Sequence, residues 1–325
     1  MNLFHNKSLF FISLRSKIPT HYFGWNYVRG IMIDIFDLIR DISTRLEKIH
    51  DDPIARQQDA WWIAQALTKK TEADLIALKK IKLTDKQTIL LEQWLDAHIN
   101  EHKPLQYILG FVPFNDLKIL VEPPILIPRP ETEEWTFNLA QKLKGFSGKN
   151  ITILDACCGT GCIALSLARV SPLIIVQGTD ISEHAVQLSK KNALNNHVTN
   201  ASFLHANLFP KNNDIKYDLI VSNPPYIPEP EWNNLNPSVT QWEDRKALLS
   251  GKDGLDCIRG IIKNAKQWLK HNDEMKEKNI PQLVIEIDST QGDAVKTLLE
   301  KAGFINVKIL KDLEGKNRVA YAGLQ

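Results

Sequence analysis

The chain has 325 residues, of which 43% are hydrophobic and 24% are charged, a composition typical of a globular protein. Its 40 Lys and Arg residues nearly balance 38 Asp and Glu residues, for a formal net charge of +2. A protein that binds bare nucleic-acid phosphate normally carries a strongly basic face, so we expect no direct nucleic-acid binding. No apolar run approaches the 18 residues of a membrane span, and we expect no membrane segment.

The four cysteines are Cys157, Cys158, Cys162 and Cys257. Three of them lie within six residues, which excludes a spread disulfide framework and favours a reducing compartment. The cluster lacks paired C-x2-C spacing and a nearby histidine, so we predict no metal site.

The N-terminal 33 residues contain four Lys or Arg residues and no acid, with serines between apolar residues. This composition resembles a mitochondrial transit peptide, which we predict for residues 1–32, with a location in the matrix. The alternative is an over-long gene model that truly starts at Met32, which would leave the protein cytoplasmic.

Residues 33–103 have the pattern of a small helical domain. Apolar residues from Ile35 to Ile49 mostly recur at steps of three and four, as on one face of a helix. The pair Asp52-Pro53 is a helix start signal, and Thr84 with Gln87 forms a capping box. The tryptophans of this region are predicted to be core residues.

Residues 104–124 are predicted to form a linker with two short extended runs, around Gly110 and the Asn115-Asp116 pair, as a hairpin. In the following "ILIPRPETEEW", prolines stiffen a loop and Thr132 is predicted to cap the next helix.

From residue 150 onward, strands alternate with helices, which predicts an α/β domain over residues 125–325 with a largely parallel, doubly wound sheet. The predicted strands are ITILDA, LIIVQGTD, ASFLHAN, YDLIVSN and QLVIEID, and the last two, NVKILKD and RVAYAGL, form an antiparallel hairpin. The predicted helices are GCIALSLARV, SEHAVQLSKKNALNN, GLDCIRGIIKNAKQWLK and DAVKTLLEKAG.

Ligands of such sheets bind at the carboxyl ends of the strands. The residues that follow the first two strands are suited to a nucleoside-bearing ligand. Asp155 ends the first strand, and Gly159 and Gly161 open the next helix, where free N–H groups and close backbone approach are available. Asp180 ends the second strand, placed to accept hydrogen bonds from a ribose. A plain strand-to-helix turn and a carboxylate near a helix cap are the structural alternatives. Asn207 and Leu208 follow the third strand, near the expected base.

The fourth strand ends in Asn223-Pro224-Pro225-Tyr226. Proline fixes φ and lacks an N–H, so the loop is rigid, and the Asn223 side-chain oxygen and the Pro224 carbonyl are two acceptors suited to one planar NH2 group. Such positioning would direct the nitrogen lone pair at a cofactor, and Tyr226 would supply an aromatic face. A rigid structural turn is the alternative.

These motifs resemble those of class I S-adenosylmethionine-dependent methyltransferases that act on an amino or amide nitrogen. From about Ile33, the chain resembles more closely the release-factor glutamine methyltransferases. The matching elements are LQYILG, LIPRPETE, SNPPYIP, ALLSGKDGL, VIEI, TQGDAV and LKDLEGKNRVA.

The resemblance implies a fold with a Rossmann-like seven-stranded sheet, a small helical N-terminal domain and S-adenosylmethionine as cofactor. It assigns cofactor contacts to Cys157, Cys158, Gly159, Thr160, Gly161, Asp180 and Leu208, and substrate contacts and catalysis to Asn223, Pro224, Pro225 and Tyr226. Asp155, Asn207 and Asn223 complete the predicted cofactor contacts. The chain departs from the family at Cys157-Cys158, where many members have Gly-Thr, at Asn207 and Leu208, where many have an acid and an aromatic residue, and at Glu243-Asp244, where Glu-Pro is commoner.

The resemblance further implies that the substrate is the glutamine of the Gly-Gly-Gln motif of a class I peptide-chain release factor, methylated by direct transfer without metal or covalent enzyme intermediate. We expect the helical domain to dock this protein and the enzyme to be monomeric. The segment 227–250, with Trp232 and Trp242, either grips the partner or packs as a structural loop. An adenine-N6 methyltransferase acting on nucleic acid, and an inactive adaptor on release factors, are the alternative functions.

Overall fold

In the computed structural model, residues 32–144, 150–211 and 215–324 are described. The predicted transit peptide therefore lies, except for Met32, outside the described residues. The chain divides into two compact units, Met1–Ile99 and Asn100–Gln325. In the part of the chain that the structure describes, no helix has both the length and the apolar character needed to cross a bilayer.

The N-terminal unit is helical, as predicted. Its two sequence-marked helix starts are confirmed: the Asp52 side chain accepts from the backbone N–H of Ile54 at 2.8 Å, and Thr84 and Gln87 satisfy each other's backbone N–H groups. Of the tryptophans predicted to be core residues, Trp61 is buried, whereas Trp62 and Trp94 are only partly buried. The helices are α1 (Ile35–Arg45), α2 (Pro53–Thr68), α3 (Glu72–Leu78) and α4 (Asp85–Asn100), and the short strands β1 (Ile33–Asp34) and β2 (Lys80–Ile81) pair antiparallel.

The hairpin prediction is correct only for its second part. Strands β3 (Phe111–Phe114) and β4 (Leu117–Leu120) pair around Asn115, which has φ +50°. Residues before them are not extended: α5 (Leu105–Leu109) is a short helix that ends at Gly110, whose φ of +79° closes it in a left-handed cap. The apolar residues of the hairpin belong to the same buried cluster as β5, so the hairpin is part of the larger unit.

The larger unit has a seven-stranded sheet in the order β10-β11-β9-β8-β5-β6-β7, parallel except for β11, which confirms the predicted doubly wound architecture and closing hairpin. Separate apolar clusters cover its two faces. The strands are β5 (Ile151–Ala156), β6 (Ile174–Asp180), β7 (Ala201–His205), β8 (Leu219–Ser222), β9 (Leu283–Glu286), β10 (Ile305–Lys311) and β11 (Asn317–Gly323). The helices are α6 (Pro130–Leu143), α7 (Cys162–Ala168), α8 (Glu183–Asn195), α9 (Pro237–Thr240), α10 (Arg245–Leu248), α11 (Asp256–Trp268), α12 (Asp273–Glu277) and α13 (Gly292–Lys301), with a 3-10 turn at Glu229–Asn234.

The strand order reverses at β5, which has β6 on one side and β8 on the other. A crevice opens at such a switch point because successive connections leave in opposite directions. The loops after β5, β6 and β8, which carry the predicted site residues, therefore meet at one edge of the sheet.

Candidate active site

A cavity of about 550 Å³ lies at the carboxyl ends of these strands, within the range of small-molecule sites. It brings together seven of the predicted site residues, namely Cys157, Gly159, Asp180, Asn207, Leu208, Asn223 and Pro225. Asp155, Cys158, Thr160, Gly161, Pro224 and Tyr226 are not among its lining residues. The wall is completed by residues that were not predicted to belong to the site: Ile125, Leu126, Ile181, Ala185, Asp244, Lys246, Ala247, Leu249 and Cys257.

The loop after β5 is bent by three residues with positive φ, Cys157 at +62°, Gly159 at +53° and Gly161 at +79°. A Cβ atom at Gly161 would come within 2.9 Å of the Cβ of Ser189 and 3.0 Å of the Phe203 ring, so this glycine is required for packing. A Cβ at Gly159 would meet nothing within 4 Å. Gly159 therefore offers bare backbone to the cavity, as close approach of a ligand requires.

Asp155 lies behind this loop and is fully buried. Its Oδ2 accepts from the backbone N–H of Ala164 at 3.1 Å, whereas its Oδ1 has no hydrogen-bond partner among the described residues. Burial raises the pKa of Asp155 to about 8, against the lowering effect of the Ala164 bond. A buried polar atom left without a partner behind the loop fits a bridging water.

Asp180 is held by backbone groups on both sides. Its Oδ2 accepts from the N–H of Gly159 at 2.9 Å and its Oδ1 from the N–H of Ser182 at 2.8 Å. Burial raises its pKa and these two bonds lower it. Each carboxylate oxygen retains acceptor capacity, so the fixed carboxylate suits two adjacent hydroxyl groups, as a ribose presents.

Leu208 and Asn207 line the cavity beyond β7. Leu208 has φ +62°, and its carbonyl accepts from the hydroxyl of Thr179, a β6 residue, at 2.6 Å. This bond fixes the loop, so the Leu208 side chain presents a positioned apolar surface to the cavity. Asn207 supplies polar atoms at the same place.

Asn223 lies directly after β8 and is oriented by Thr132, for which a helix-capping role was predicted. Its Nδ2 donates to Thr132 Oγ1 at 3.1 Å, and the Thr132 hydroxyl donates to Glu286 Oε2 at 2.7 Å. Because that hydroxyl's proton is used on Glu286, it can only accept from Asn223, and the carboxamide oxygen of Asn223 is left for another donor. The prediction that Thr132 caps its helix is wrong: α6 begins at Pro130 with Arg129 as N-cap, and Thr132 lies inside the first turn, where its hydroxyl reaches β9.

Glu286, at the end of β9, organises this part of the site. Besides Thr132, its carboxylate accepts from Trp135 Nε1 at 2.7 Å, and the Tyr226 hydroxyl lies 3.4 Å from its Oε1. Burial raises the pKa of Glu286, and the bonds from Trp135 and Thr132 lower it. Three donors converge on one buried carboxylate, which is the arrangement that supports its ionised form.

The Asn-Pro-Pro-Tyr loop is closely packed at its far end. The Tyr226 carbonyl accepts from Gln291 Nε2 at 2.9 Å, and a Cβ at Gly254, which has φ +76°, would approach that carbonyl to 2.2 Å. Pro224 is buried. The aromatic-face role of Tyr226 and the acceptor role of the Pro224 carbonyl remain predictions.

The 227–250 segment is tied to the rest of the unit by a partly buried ion pair. Arg129 Nη2 donates to Glu243 Oε2 at 2.5 Å, and burial raises the pKa of Glu243 while Arg129 lowers it. Trp242 donates from Nε1 to the carbonyl of Glu101 at 2.9 Å and lies under Lys103. Trp242 therefore has a packing role, whereas Asp244 and Lys246 beside it line the cavity.

The sequence contained signals for the contacts of Thr132 and Glu286, which were not predicted. Thr132 and Glu286 lie within RPETE and VIEI, elements already noticed, and Glu286 is a lone acid in an otherwise apolar strand. A charged residue in a buried strand requires hydrogen-bond partners, so Glu286 itself indicated that polar side chains lie nearby.

The fold and the cavity define the protein as a class I S-adenosylmethionine-dependent methyltransferase. Comparisons with known proteins agree: the model described as "Methyltransferase small domain" matches residues 136–235, and the model described as "PrmC N-terminal domain" matches residues 37–110. The release factor glutamine methyltransferase of Coxiella burnetii is 31% identical over 294 residues, 90% of this chain and 99% of the relative. That of Flavobacterium psychrophilum is 36% identical over 261 residues, 79% and 88% of the two chains.

The chain belongs to the release factor glutamine methyltransferase family. Among solved structures, the 16S rRNA N2 G1207 methyltransferase of T. Thermophilus, in complex with AdoMet and guanosine, matches with a TM-score of 0.46 and 18% identity, over 66% of this chain and 50% of that one.

Proposed function

We propose that the protein transfers a methyl group from S-adenosylmethionine to the side-chain amide nitrogen of the glutamine in the Gly-Gly-Gln motif of a class I peptide-chain release factor. The observation that carries this proposal is the orientation of Asn223. Thr132 and Glu286 fix its carboxamide on the wall of the cavity that Asp180 also lines.

When bound, S-adenosylmethionine supplies an electrophilic methyl group on its sulfonium sulfur. In our proposal, Asp180 holds the ribose hydroxyls, Leu208 and Asn207 flank the base, and the Gly159 backbone lies against the ligand. The unpartnered Oδ1 of Asp155, which lies behind the loop, hydrogen-bonds to a bridging water.

In our proposal, the part of the cavity that binds the methylated substrate suits a planar NH2 group. A glutamine amide is a poor nucleophile because its lone pair is delocalised into the carbonyl. The Asn223 oxygen and the Pro224 carbonyl accept one N–H each, which holds the nitrogen with its lone pair toward the methyl group and stabilises positive charge as the new bond forms. The proton would leave to water after the transfer, and no covalent enzyme intermediate would form.

Two features favour glutamine over the amino group of adenine, which an Asn-Pro-Pro-Tyr loop would also fit. The relatives that match most of the chain are named as release factor glutamine methyltransferases. The net charge of +2 gives little attraction for nucleic-acid phosphate.

The test uses labelled S-adenosylmethionine with a release factor, its Gln→Ala variant at the Gly-Gly-Gln motif, bulk RNA and bulk DNA. We expect label on the unaltered factor only. Label on nucleic acid, or undiminished label on the Gln→Ala factor, overturns the proposal. Asn223→Ala should reduce transfer at least a hundredfold and leave cofactor affinity within about threefold, the pattern of an interaction made with the acceptor in the transition state.

We also propose a mitochondrial location, supported by the basic, acid-free composition of the first 33 residues. Import into isolated mitochondria of the full chain, compared with a chain that starts at Met32, tests it. Equal import of the two chains would contradict the proposal.

A further inference from the structure

Two cysteines from distant parts of the chain meet on the wall of the cavity. The Sγ atoms of Cys157 and Cys257 are 3.9 Å apart, within the range of a thiol hydrogen bond, although the residues are 100 positions apart. Cys157 belongs to the loop after β5 and Cys257 to the first turn of α11, and both line the cavity. Cys158 and Cys162, by contrast, are buried in an apolar cluster.

The surroundings make Cys257 the more nucleophilic member of the pair. The hydrogen bond between the two thiols lowers the pKa of Cys257 and raises that of Cys157. Cys257 is the second residue of α11, and its N–H donates to Ser250 Oγ at 2.8 Å. The positive end of this 13-residue helix favours a thiolate at the same position.

The backbone at Cys157 points to a role for its side chain. Its φ of +62° is a left-handed conformation that disfavours a residue with a Cβ atom but not glycine. A side chain in such a conformation is a reason to look for a function of that side chain. The nearby thiol of Cys257 is the partner with which Cys157 can react.

We propose that Cys157 and Cys257 form a peroxide-sensitive pair whose disulfide narrows the cofactor cavity. In the first step the Cys257 thiolate attacks a peroxide oxygen, the O–O bond breaks, the sulfur is oxidised to a sulfenic acid and hydroxide leaves. In the second step the Cys157 sulfur attacks the sulfenic sulfur, the S–S bond forms, the S–O bond breaks, and the hydroxide takes the Cys157 proton and leaves as water. Two thiols and one hydrogen peroxide thus give one disulfide and two waters.

The bond would draw the two walls of the cavity together. A disulfide holds its sulfur atoms about 2.05 Å apart, so the present 3.9 Å separation must shrink by about 1.9 Å. The loop that moves also carries Gly159, whose N–H orients Asp180. Oxidation therefore narrows the cavity and disturbs the carboxylate at once. This consequence rests on the proposal that the cofactor binds in this cavity.

The test compares reduced protein with protein treated with hydrogen peroxide and then freed of it. Trypsin gives separate peptides for residues 150–169 and 253–259, so mass spectrometry without reductant detects their cross-link, and fragmentation tells Cys157 from Cys158. S-adenosylmethionine affinity is measured by calorimetry, which needs no release factor and so does not depend on the identity of the methylated substrate. We expect the Cys157–Cys257 cross-link, an affinity loss of at least tenfold, and recovery with dithiothreitol.

Variants make the result specific. Cys257→Ser should give no cross-link and keep the affinity of its own untreated form after peroxide, whereas Cys158→Ala should still cross-link and lose affinity. Bound S-adenosylmethionine should slow the cross-linking because it covers both thiols. Loss of affinity without the cross-link, equal loss in Cys257→Ser, or a cross-linked protein with full affinity each overturns the proposal. Reduced protein that does not bind the cofactor at all would instead overturn the assignment of the cavity.

Discussion

The side chain of Asn223 is oriented by Thr132, which lies 91 positions earlier in the chain and accepts from Asn223 Nδ2 at 3.1 Å. The same threonine hydroxyl donates to the buried Glu286 at 2.7 Å. The acceptor that we propose for the substrate amide is therefore fixed by α6 and β9 as well as by its own loop. A group held in this way loses little freedom when the substrate binds.

Thr132→Val should impair catalysis more than binding, because valine keeps the shape of threonine but provides no partner for Asn223 or Glu286. We expect kcat to fall about tenfold to a hundredfold, the order of 1–3 kcal/mol for unpaired buried polar groups, with cofactor affinity unchanged. Methyl transfer to the release factor at saturating substrate measures this.

The matched control for that prediction is Thr136→Val, one turn further along α6. Thr136 is fully buried, and its hydroxyl oxygen has no hydrogen-bond partner among the described residues. Its replacement should leave kcat within about twofold and leave stability unchanged or slightly higher. Thr132→Ser should restore most of the activity. An equal loss in both valine variants would show that packing, rather than the hydrogen bonds, controls the site.

Asp180→Asn should weaken S-adenosylmethionine binding. An amide nitrogen cannot accept, so the change removes one backbone bond, from either Gly159 or Ser182, and half of the proposed ribose contacts. We expect the Kd to rise about tenfold to a hundredfold, the order of 1.4–2.8 kcal/mol for hydrogen bonds to a charged group. Calorimetry checks this, with Glu183→Gln as the control for loss of one nearby exposed charge. An unchanged Kd would remove Asp180 from the cofactor site.

The strain at Cys157 can be measured by comparing glycine and alanine at that position. Both substitutions remove the sulfur, but only alanine keeps a Cβ at φ +62°. Cys157→Gly should therefore be more stable than Cys157→Ala by about 1 kcal/mol. At the adjacent Cys158, which is buried and not among the positive-φ residues, the order should reverse. Chemical denaturation of the four reduced variants decides the matter, and a less stable glycine variant at position 157 would contradict it.

The stability of the protein should depend on the titration of Asp59. Burial raises its pKa from 3.8 to about 6, against the lowering effect of His50, whose Nε2 lies 3.4 Å from Asp59 Oδ2. Between pH 3.8 and about 6, Asp59 is therefore protonated in the folded state and ionised in the unfolded state. Stability contributed by the protonated form is complete below that window and is lost as the pH rises through it.

Asp59→Asn should accordingly raise the free energy of unfolding at pH 7.5 by about 1–2 kcal/mol, less than the full linkage value because the Asp59 side chain is still 18% exposed. The difference should disappear near pH 4. Asp51→Asn, at an exposed neighbouring position, should change stability by no more than about 0.5 kcal/mol. Denaturation is followed with a chelator present, since His50, Asp59 and His98 offer ligand atoms within 4.8 Å of one another. A lower stability of Asp59→Asn at pH 7.5 would contradict the prediction.

Local patterns were sufficient to predict most of the sheet. Strand β5 and the closing hairpin were found from apolar runs between turn residues, and Asp180 was placed at its strand end, because these features depend on residues close in sequence. The role of Thr132 was not predictable in this way, since its capping potential is local and its actual partner, Glu286, lies 154 positions away. The meeting of Cys157 and Cys257 depends likewise on how β5 and α11 pack.

The strand spacing of the sheet also sets the distance between Asp180 and Asn223. Asp180 ends β6 and Asn223 follows β8, with β5 between them, so their strands are two spacings apart, about 10 Å. A ligand held by Asp180 at one end must extend across the width of β5 to reach Asn223. A bare nucleoside would fill one side of the cavity without touching the other. An inhibitor that joins a nucleoside to a glutamine-like amide by a linker of that length should gain from both sites, since the second contact becomes intramolecular.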